Sequence, residues 1–424
     1  MNRRGIITVS TLGITQTLAW ASSFYLPAIL AGSMSRDIGI SNQAVFAAFS
    51  AALILAALLG PRAGVYIDKY GGRPILLLTN LIFAAGLVGL GCAQEAIGFF
   101  AAWLLIGVAM GAGLYEAAFS TAVGLYGRDA RNAITGITLF AGLSSTLSWP
   151  VSTWLDLEYG WRSACFVWAA LHLFVGLPLN ASLPKSAAMR LFTKEPAPIG
   201  ANKTTDSAAK EQASYVQPIR QQADCARPAA NNDRLATILL AIVFAIAMFI
   251  STAMVTHLPG LLQLSGLTLA TAVALSALIG PAQLVVRFME FSLLRRVHPL
   301  LSAQIASVAH PMGAACLIIF GPPAAILLPL LHGAGNGILT IAKGTLPLVI
   351  FGPQGYGLRQ GLLMVPARIA QAIAPFIFGM LIEKWGTLSL WATGLLGLMS
   401  TAALLLLARG MKSITPAAGQ EQKA

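Results

Sequence analysis

Long apolar runs separated by short polar breaks extend along the whole chain. Twelve runs stand out: Ile6–Leu30, Ala44–Ile67, Ile75–Ala93, Ile97–Leu125, Ala133–Leu155, Ser163–Leu183, Leu235–Leu262, Leu267–Leu294, Leu300–Phe320, Ala324–Phe351, Leu358–Ile382 and Leu388–Leu407. A helix rising about 1.5 Å per residue needs about 20 mostly apolar residues to cross the hydrocarbon of a bilayer. The runs are continuously apolar and do not alternate, which argues against outer-membrane barrel strands. The pattern predicts an all-α membrane protein of twelve transmembrane helices. The first run follows Met1-Asn2-Arg3-Arg4 and is too long for a signal-peptide core, so it reads as a retained first helix.

One stretch breaks the rhythm. Pro184–Arg234 has 51 residues, 13 of them charged, with Ala, Gln, Asn and Pro filling the rest. It reads as a flexible linker. The expected organisation is a six-helix half at 1–183, a cytoplasmic linker at 184–234, a second six-helix half at 235–409 and a cytoplasmic tail at 410–424.

Composition agrees with a lipid-embedded chain: of 424 residues, 57% are apolar and 10% charged. A soluble protein carries about 25% charged residues. The net charge of +12 would suggest nucleic acid, but its placement does not. With the N-terminus set inside, 20 of the 27 Lys and Arg fall on the inner side, three (Arg36, Arg162, Lys384) outside and four (Arg62, Arg287, Lys343, Arg368) within runs. Such asymmetry places both termini in the cytoplasm of a multi-pass inner-membrane protein. No basic face with interleaved aromatics appears, so no nucleic-acid partner is expected. Cys92, Cys165, Cys225 and Cys316 lie far apart and no metal-ligand spacing occurs. No nucleophile–base pair or phosphate loop is present either, so neither an enzyme, a metal nor a cofactor is expected. The glycines of Gly107–Gly113 and Gly333–Gly337 sit inside apolar runs and read as helix-packing positions.

The halves share weak markers at a constant offset of six spans. Gly60-Pro61 of the second span corresponds to Gly280-Pro281 of the eighth; Trp149-Pro150 of the fifth corresponds to Ala374-Pro375 of the eleventh. Parallel repeats of this kind place a substrate site near the midplane between the halves.

The loop after the second span reads Gly64-Val65-Tyr66-Ile67-Asp68-Lys69-Tyr70-Gly71-Gly72-Arg73-Pro74. It resembles the G-x-x-x-D-[RK]-x-G-R-[RK] signature of the major facilitator superfamily. Gly64, Asp68, Lys69, Gly71 and Arg73 match; Gly72 stands where the first of two basic residues is expected. The resemblance implies a twelve-helix secondary transporter, acting as a monomer, in which these five residues form a conformational latch. Physically, Asp68 can accept from Arg73 and from the positive N-terminus of a neighbouring helix. The drug-antiporter pattern of the fifth span is reduced to Pro150, and Trp103 stands where an Arg often precedes Gly107 in the fourth.

Charges inside spans cost at least about 2.5–3.5 kcal/mol each at the centre and persist by facing a cavity or a partner. Glu116, Lys343 and Arg368 lie at similar depth in spans four, ten and eleven, so Glu116 is expected to face Lys343 or Arg368 across the pathway. Glu116 is the candidate proton site. Arg287 and Glu290, three residues apart, read as a structural pair, and Arg62 as a brace of the latch. His332, with Asn336 one turn on, is a candidate cavity residue. Gln16 and Trp20 share a helix face, and with Tyr25 and Trp149 they suit a planar polar ring. The candidate substrate and coupling residues are therefore Glu116, Lys343, Arg368, Gln16, Trp20, Tyr25, Trp149 and Asn336. The expectation is uptake of a small polar organic solute, a heteroaromatic vitamin such as riboflavin, with the bilayer and protons as further partners. The alternatives are efflux of a drug, metabolite or metalloid, and a non-transporting membrane sensor.

Overall fold

The computed structural model describes residues 3–184, 230–293 and 297–412. Most of the linker, Cys225, Arg295, Arg296 and the end of the tail lie outside the described residues. Every described element is a helix. Among the described residues, nine stretches are long and apolar enough to cross a membrane, and two of them, Ala96–Tyr159 and Tyr356–Gly410, each carry two spans. With the broken first span, which hydropathy alone does not select, the total is twelve.

The first span is two helices, α1 (Arg3–Ser22) and α2 (Leu26–Ile38), and it runs eight residues beyond the expected end at Leu30. The second and third are single helices, α3 (Asn42–Tyr70) and α4 (Gly72–Cys92). The fourth divides into α5 (Ala96–Gly113) and α6 (Tyr115–Tyr126), and the fifth into α7 (Arg131–Ala141) and α8 (Ser144–Tyr159). The sixth passes from α9 (Trp161–Leu171) through a π turn at His172–Gly176 into α10 (Leu177–Ala181). The seventh, α11 (Ala230–Leu264), starts inside the stretch expected to be linker. The eighth is α12 (Leu269–Ser276) and α13 (Ile279–Ser292). The last four are α14 (Pro299–Phe320), α15 (Leu327–Phe351), α16 (Tyr356–Trp385) and α17 (Leu390–Lys412).

The apolar core of spans one to six is one continuous cluster, whereas spans seven to twelve build two. The halves meet chiefly through α3 against α16 and α7 against α13 and α15. Small residues allow close packing within each half. A Cβ on Gly107 would strike the backbone of Ala52, and one on Gly333 the backbone of Ile279. Cross-half packing concentrates on the end of the bundle that carries the basic loops; α2, α8 and α12, at the other end, pack mainly within their own halves.

Candidate functional site

Four spans break near mid-depth, and the breaks surround one region between the halves. Leu114 is extended (φ −86°, ψ −164°), which ends α5 and leaves the Gly113 carbonyl without a helical donor. Gln16 supplies the missing donor, its Nε2 lying 2.8 Å from that oxygen. The expected role of Gln16 on the substrate wall is therefore corrected: its amide N–H is spent inside the first half, its buried Oε1 has no partner, and it bounds neither central cavity. Trp20, one turn on, does reach the cavity. Its ring lies 4.9 Å from Tyr115, 5.3 Å from Phe24 and 6.5 Å from Tyr25, and Tyr115 stacks on Phe119.

Two adjoining cavities share Trp20, Tyr115 and Lys343. The smaller, about 10 Å³, is bounded also by Glu116, Phe119 and Arg368. The larger, about 50 Å³, is bounded also by Phe24, Tyr25, Gln283, Arg287 and Asn336. Asn336 Nδ2 donates to Ser251 Oγ at 3.1 Å.

The charges divide into spent and unspent. Arg368 Nη2 donates to both carboxylate oxygens of Glu116 at 3.1 Å, Nη1 donates to Gln371, and the guanidinium lies 5.5 Å from the centre of the Trp20 ring. Glu116 also occupies the first turn of α6, where a negative charge opposes the helix dipole favourably. Lys343 takes no part in this pair. Its side chain is buried, and its Nζ contacts Met248 Sδ at 3.0 Å.

Arg287 does not pair with Glu290 as its spacing suggested. Its Nη1 donates across the halves to the Thr138 carbonyl at 3.0 Å and its Nη2 to Gln283 at 3.3 Å, while its buried Nε has no partner. Glu290 is taken by Arg131 at 3.4 Å and by Ser302 at 3.3 Å. Both outcomes follow from helix rotation: α13 turns Arg287 toward α7 and the cavity. Arg287 is thus the cavity residue that sequence spacing concealed. Among the charged side chains named on the cavity walls, three are cationic (Arg287, Lys343, Arg368) and one is anionic (Glu116).

Trp149 requires a second correction, since it bounds neither cavity. Its neighbours on α8, Ser148 and Ser152, are fully buried, and Ser148 donates to the Ala21 carbonyl of α1 at 2.9 Å. Fixing that face inward turns Trp149 outward, where it is 39% exposed.

At the basic end, Asp68 accepts from the backbone N–H groups of Gly357 at 2.8 Å and Leu358 at 2.9 Å, the first turn of α16. This is the helix-terminus partner; Arg73 is half-buried and makes no ion pair with Asp68, and Arg62 is exposed. Gly64 and Gly357 meet backbone to backbone. Gly71 ends α3 with φ +82°, and Lys69 lies over the Tyr70 ring. The departure at Gly72 has a steric cause, because a Cβ there would collide with Thr121 of α6.

A model of the Major Facilitator Superfamily matches residues 12–342. The gallate transporter of Pseudomonas putida is 25% identical over 299 residues, covering 69% of this chain and 66% of that protein. The 4-hydroxybenzoate transporter PcaK of Pseudomonas putida is 24% identical over 267 residues, covering 59% of this chain and 57% of that protein. The chain thus spans just under two thirds of the first relative and less of the second. Among solved structures, the proton:xylose symporter XylE superposes with a TM-score of 0.73 at 15% identity, covering 95% of both chains.

Proposed function

The chain belongs to the Major Facilitator Superfamily, and from that premise we propose that it takes up a small aromatic carboxylate across the bacterial inner membrane. The observation that carries the substrate class is the charge of the cavity: Arg287 and Lys343 converge on an aromatic wall with no carboxylate of their own. A buried cation without a counter-charge is costly, and an anionic ligand removes that cost. The ring would lie among Trp20, Tyr25 and Tyr115, with its carboxylate on Arg287 and a ring hydroxyl near Lys343 or Asn336. The names of the two Pseudomonas putida relatives point to the same class. A neutral flavin, favoured by the aromatic wall alone, leaves both cations unpaired, so a one-ring acid takes its place.

In this reading two halves, residues 1–183 and 235–409, joined by 184–234, rock against each other in a monomer with both termini cytoplasmic. Asp68 on the terminus of α16, with Gly64, Lys69, Gly71 and Arg73 around it, latches the cytoplasmic end while the cavity serves the outside.

Counterflow in proteoliposomes tests the proposal. Radiolabelled 4-hydroxybenzoate should exchange against unlabelled benzoate and not against riboflavin. Arg287→Gln should lower the exchange about 100-fold, the worth of one charged hydrogen bond of about 2.7 kcal/mol. Exchange of riboflavin in place of the acids sinks the reading. A rise in the acid content of cells on deleting the gene turns uptake into efflux.

A further inference from the structure

Spans nine and ten hold a second polar site that the substrate reading leaves unused. His310 of α14 and His332 of α15 meet edge to face with ring centroids 5.0 Å apart. Their exposures are 6% and 3%, and His310 Nδ1, His310 Nε2 and His332 Nε2 have no protein partner. Ser400 of α17 points a fourth partnerless atom, its Oγ, into the same region. These groups surround a pocket of about 20 Å³. That is room for one water, which needs two to four polar partners to be worth holding. Four helices enclose the pocket. α11 contributes only apolar side chains (Ile246, Ala247, Ile250), α17 contributes Gly397 and Ser400, and α14 and α15 contribute the two histidines with Ser307 and Asn336. No Asp, Glu, Lys or Arg lines it, so the imidazoles are its titratable groups.

The pocket also has a door. Asn336 lines both this pocket and the larger central cavity. Lys343, two turns further along α15, is the nearest cation of that helix on the cavity side. The alternative proton site, Glu116, is held by both its oxygens to Arg368.

We infer that the His310–His332 pair is a proton-binding site that couples proton entry to transport. A hydronium ion reaching the pocket past Asn336 gives its proton to one imidazole nitrogen and leaves as water. The imidazolium then donates, directly or through one water, to the lone pair of the other ring. Release on the far side reverses the same transfer, and no other bond changes. A carboxylate in the central cavity favours the imidazolium, and the imidazolium favours the carboxylate by the same factor. One proton and one monoanion then cross together without net charge. This stoichiometry rests on the anion reading above; the proton site itself does not.

Two measurements separate the inference from that reading. In proteoliposomes, with protein-free vesicles subtracted, an outside-acid pH gradient should concentrate 4-hydroxybenzoate through the wild type. His310→Gln and His332→Gln should each lower that accumulation about tenfold, while exchange at equal pH stays within about threefold. Ser400→Ala should lower it less. Accumulation by both histidine variants at the wild-type level overturns the inference. Failure of the wild type to move the acid counts against the substrate class, and histidine nitrogen NMR then decides the proton site alone. Two coupled titrations that give way in His310→Gln to a single simple titration of His332, with His172 unmoved, support it; two rings that stay neutral down to about pH 5 overturn it.

Discussion

In the first half, His172 stands between Ser22 and Asn80, with both ring nitrogens 2.8 Å from a partner. Asn80, whose Nδ2 donates to the Leu76 carbonyl, presents Oδ1 to the Nδ1–H, and the Ser22 hydroxyl lies against Nε2. The ring also stacks on Phe83 at 4.7 Å. In the second half, His310 and His332 face each other with three nitrogens unmatched, and Lys343 lies against a thioether. Both environments are buried, yet one closes its hydrogen bonds and the other leaves them open. The first half packs around one continuous core, while the second is split into two clusters. Burial by itself does not mark a functional group. A cluster of buried polar groups with no protein partner round one pocket is the better pointer, because it carries a cost that a water, a ligand or a proton must remove.

Lys343 gives the comparison its largest expected effect. Lys343→Met should lower exchange of 4-hydroxybenzoate about 10- to 100-fold, while leaving the thermal midpoint unchanged or higher, since an unpaired buried charge is replaced by an apolar chain of similar length. A midpoint that falls together with activity would mean that Lys343 holds the fold, and the contrast between halves would fail at its central residue.

His172→Ala should do the reverse. It leaves Ser22 and Asn80 without their partner and opens a void beside Phe83, at a cost of about 2–4 kcal/mol. The ratio of gradient-driven accumulation to exchange should stay at the wild-type value. An uncoupled but fully stable variant would place a proton site in the first half and break the comparison.

The contact of Gly64 and Asp68 with the first turn of α16 sharpens the comparison further because its hydrogen bonds too are closed. A Cβ on Gly357 would lie 2.5 Å from the Gly64 carbonyl oxygen and 2.7 Å from Asp68 Oδ1. Gly357→Ala should therefore destabilise the state with a packed basic end by about 1–3 kcal/mol. Cysteine labelling from the basic end should read the shift as about a tenfold rise in accessibility. No change in labelling would mean that the α3–α16 crossing has room the backbone contact denies.

Several of these features are legible in the amino-acid sequence. The twelve spans follow from hydrocarbon thickness, which imposes run length on every crossing helix. The cost of a charge in lipid singled out Glu116, Lys343 and Arg368, and depth put them in one layer. Depth does not fix rotation about a helix axis, so sequence left open that Arg368 takes Glu116 and that Lys343 stays unpaired. The same ambiguity misassigned Arg287 and Glu290, whose spacing of three permits a pair that the neighbouring helices dissolve. Some helix breaks were ambiguous because a proline in a membrane span kinks a helix without having to end it: Pro27 has no N–H for the Ser23 carbonyl and crowds it, and here α1 ends before Ser23 and α2 starts at Leu26. The His310–His332 contact was hidden because it joins two spans at a register set only by packing.

Trp149 carries the smallest expected effect and the cleanest check on rotation as the source of these errors. It shares span five with the serines that pin α8 to α1, and it differs from them only in the angle at which it leaves the helix. At 39% exposed and outside both cavities, it has neither a ligand to hold nor a packed core to fill. Trp149→Ala should change stability by no more than about 0.5 kcal/mol and exchange by less than about twofold. Ser148→Val, one residue away, removes the donor to the Ala21 carbonyl and adds bulk in a fully buried position, so it should cost about 1–3 kcal/mol. If the tryptophan variant lost transport and the serine variant did not, α8 would be rotated by roughly one residue, about 100°. The aromatic wall would then extend into span five, and a ligand larger than one ring would fit the site better than the acid proposed here.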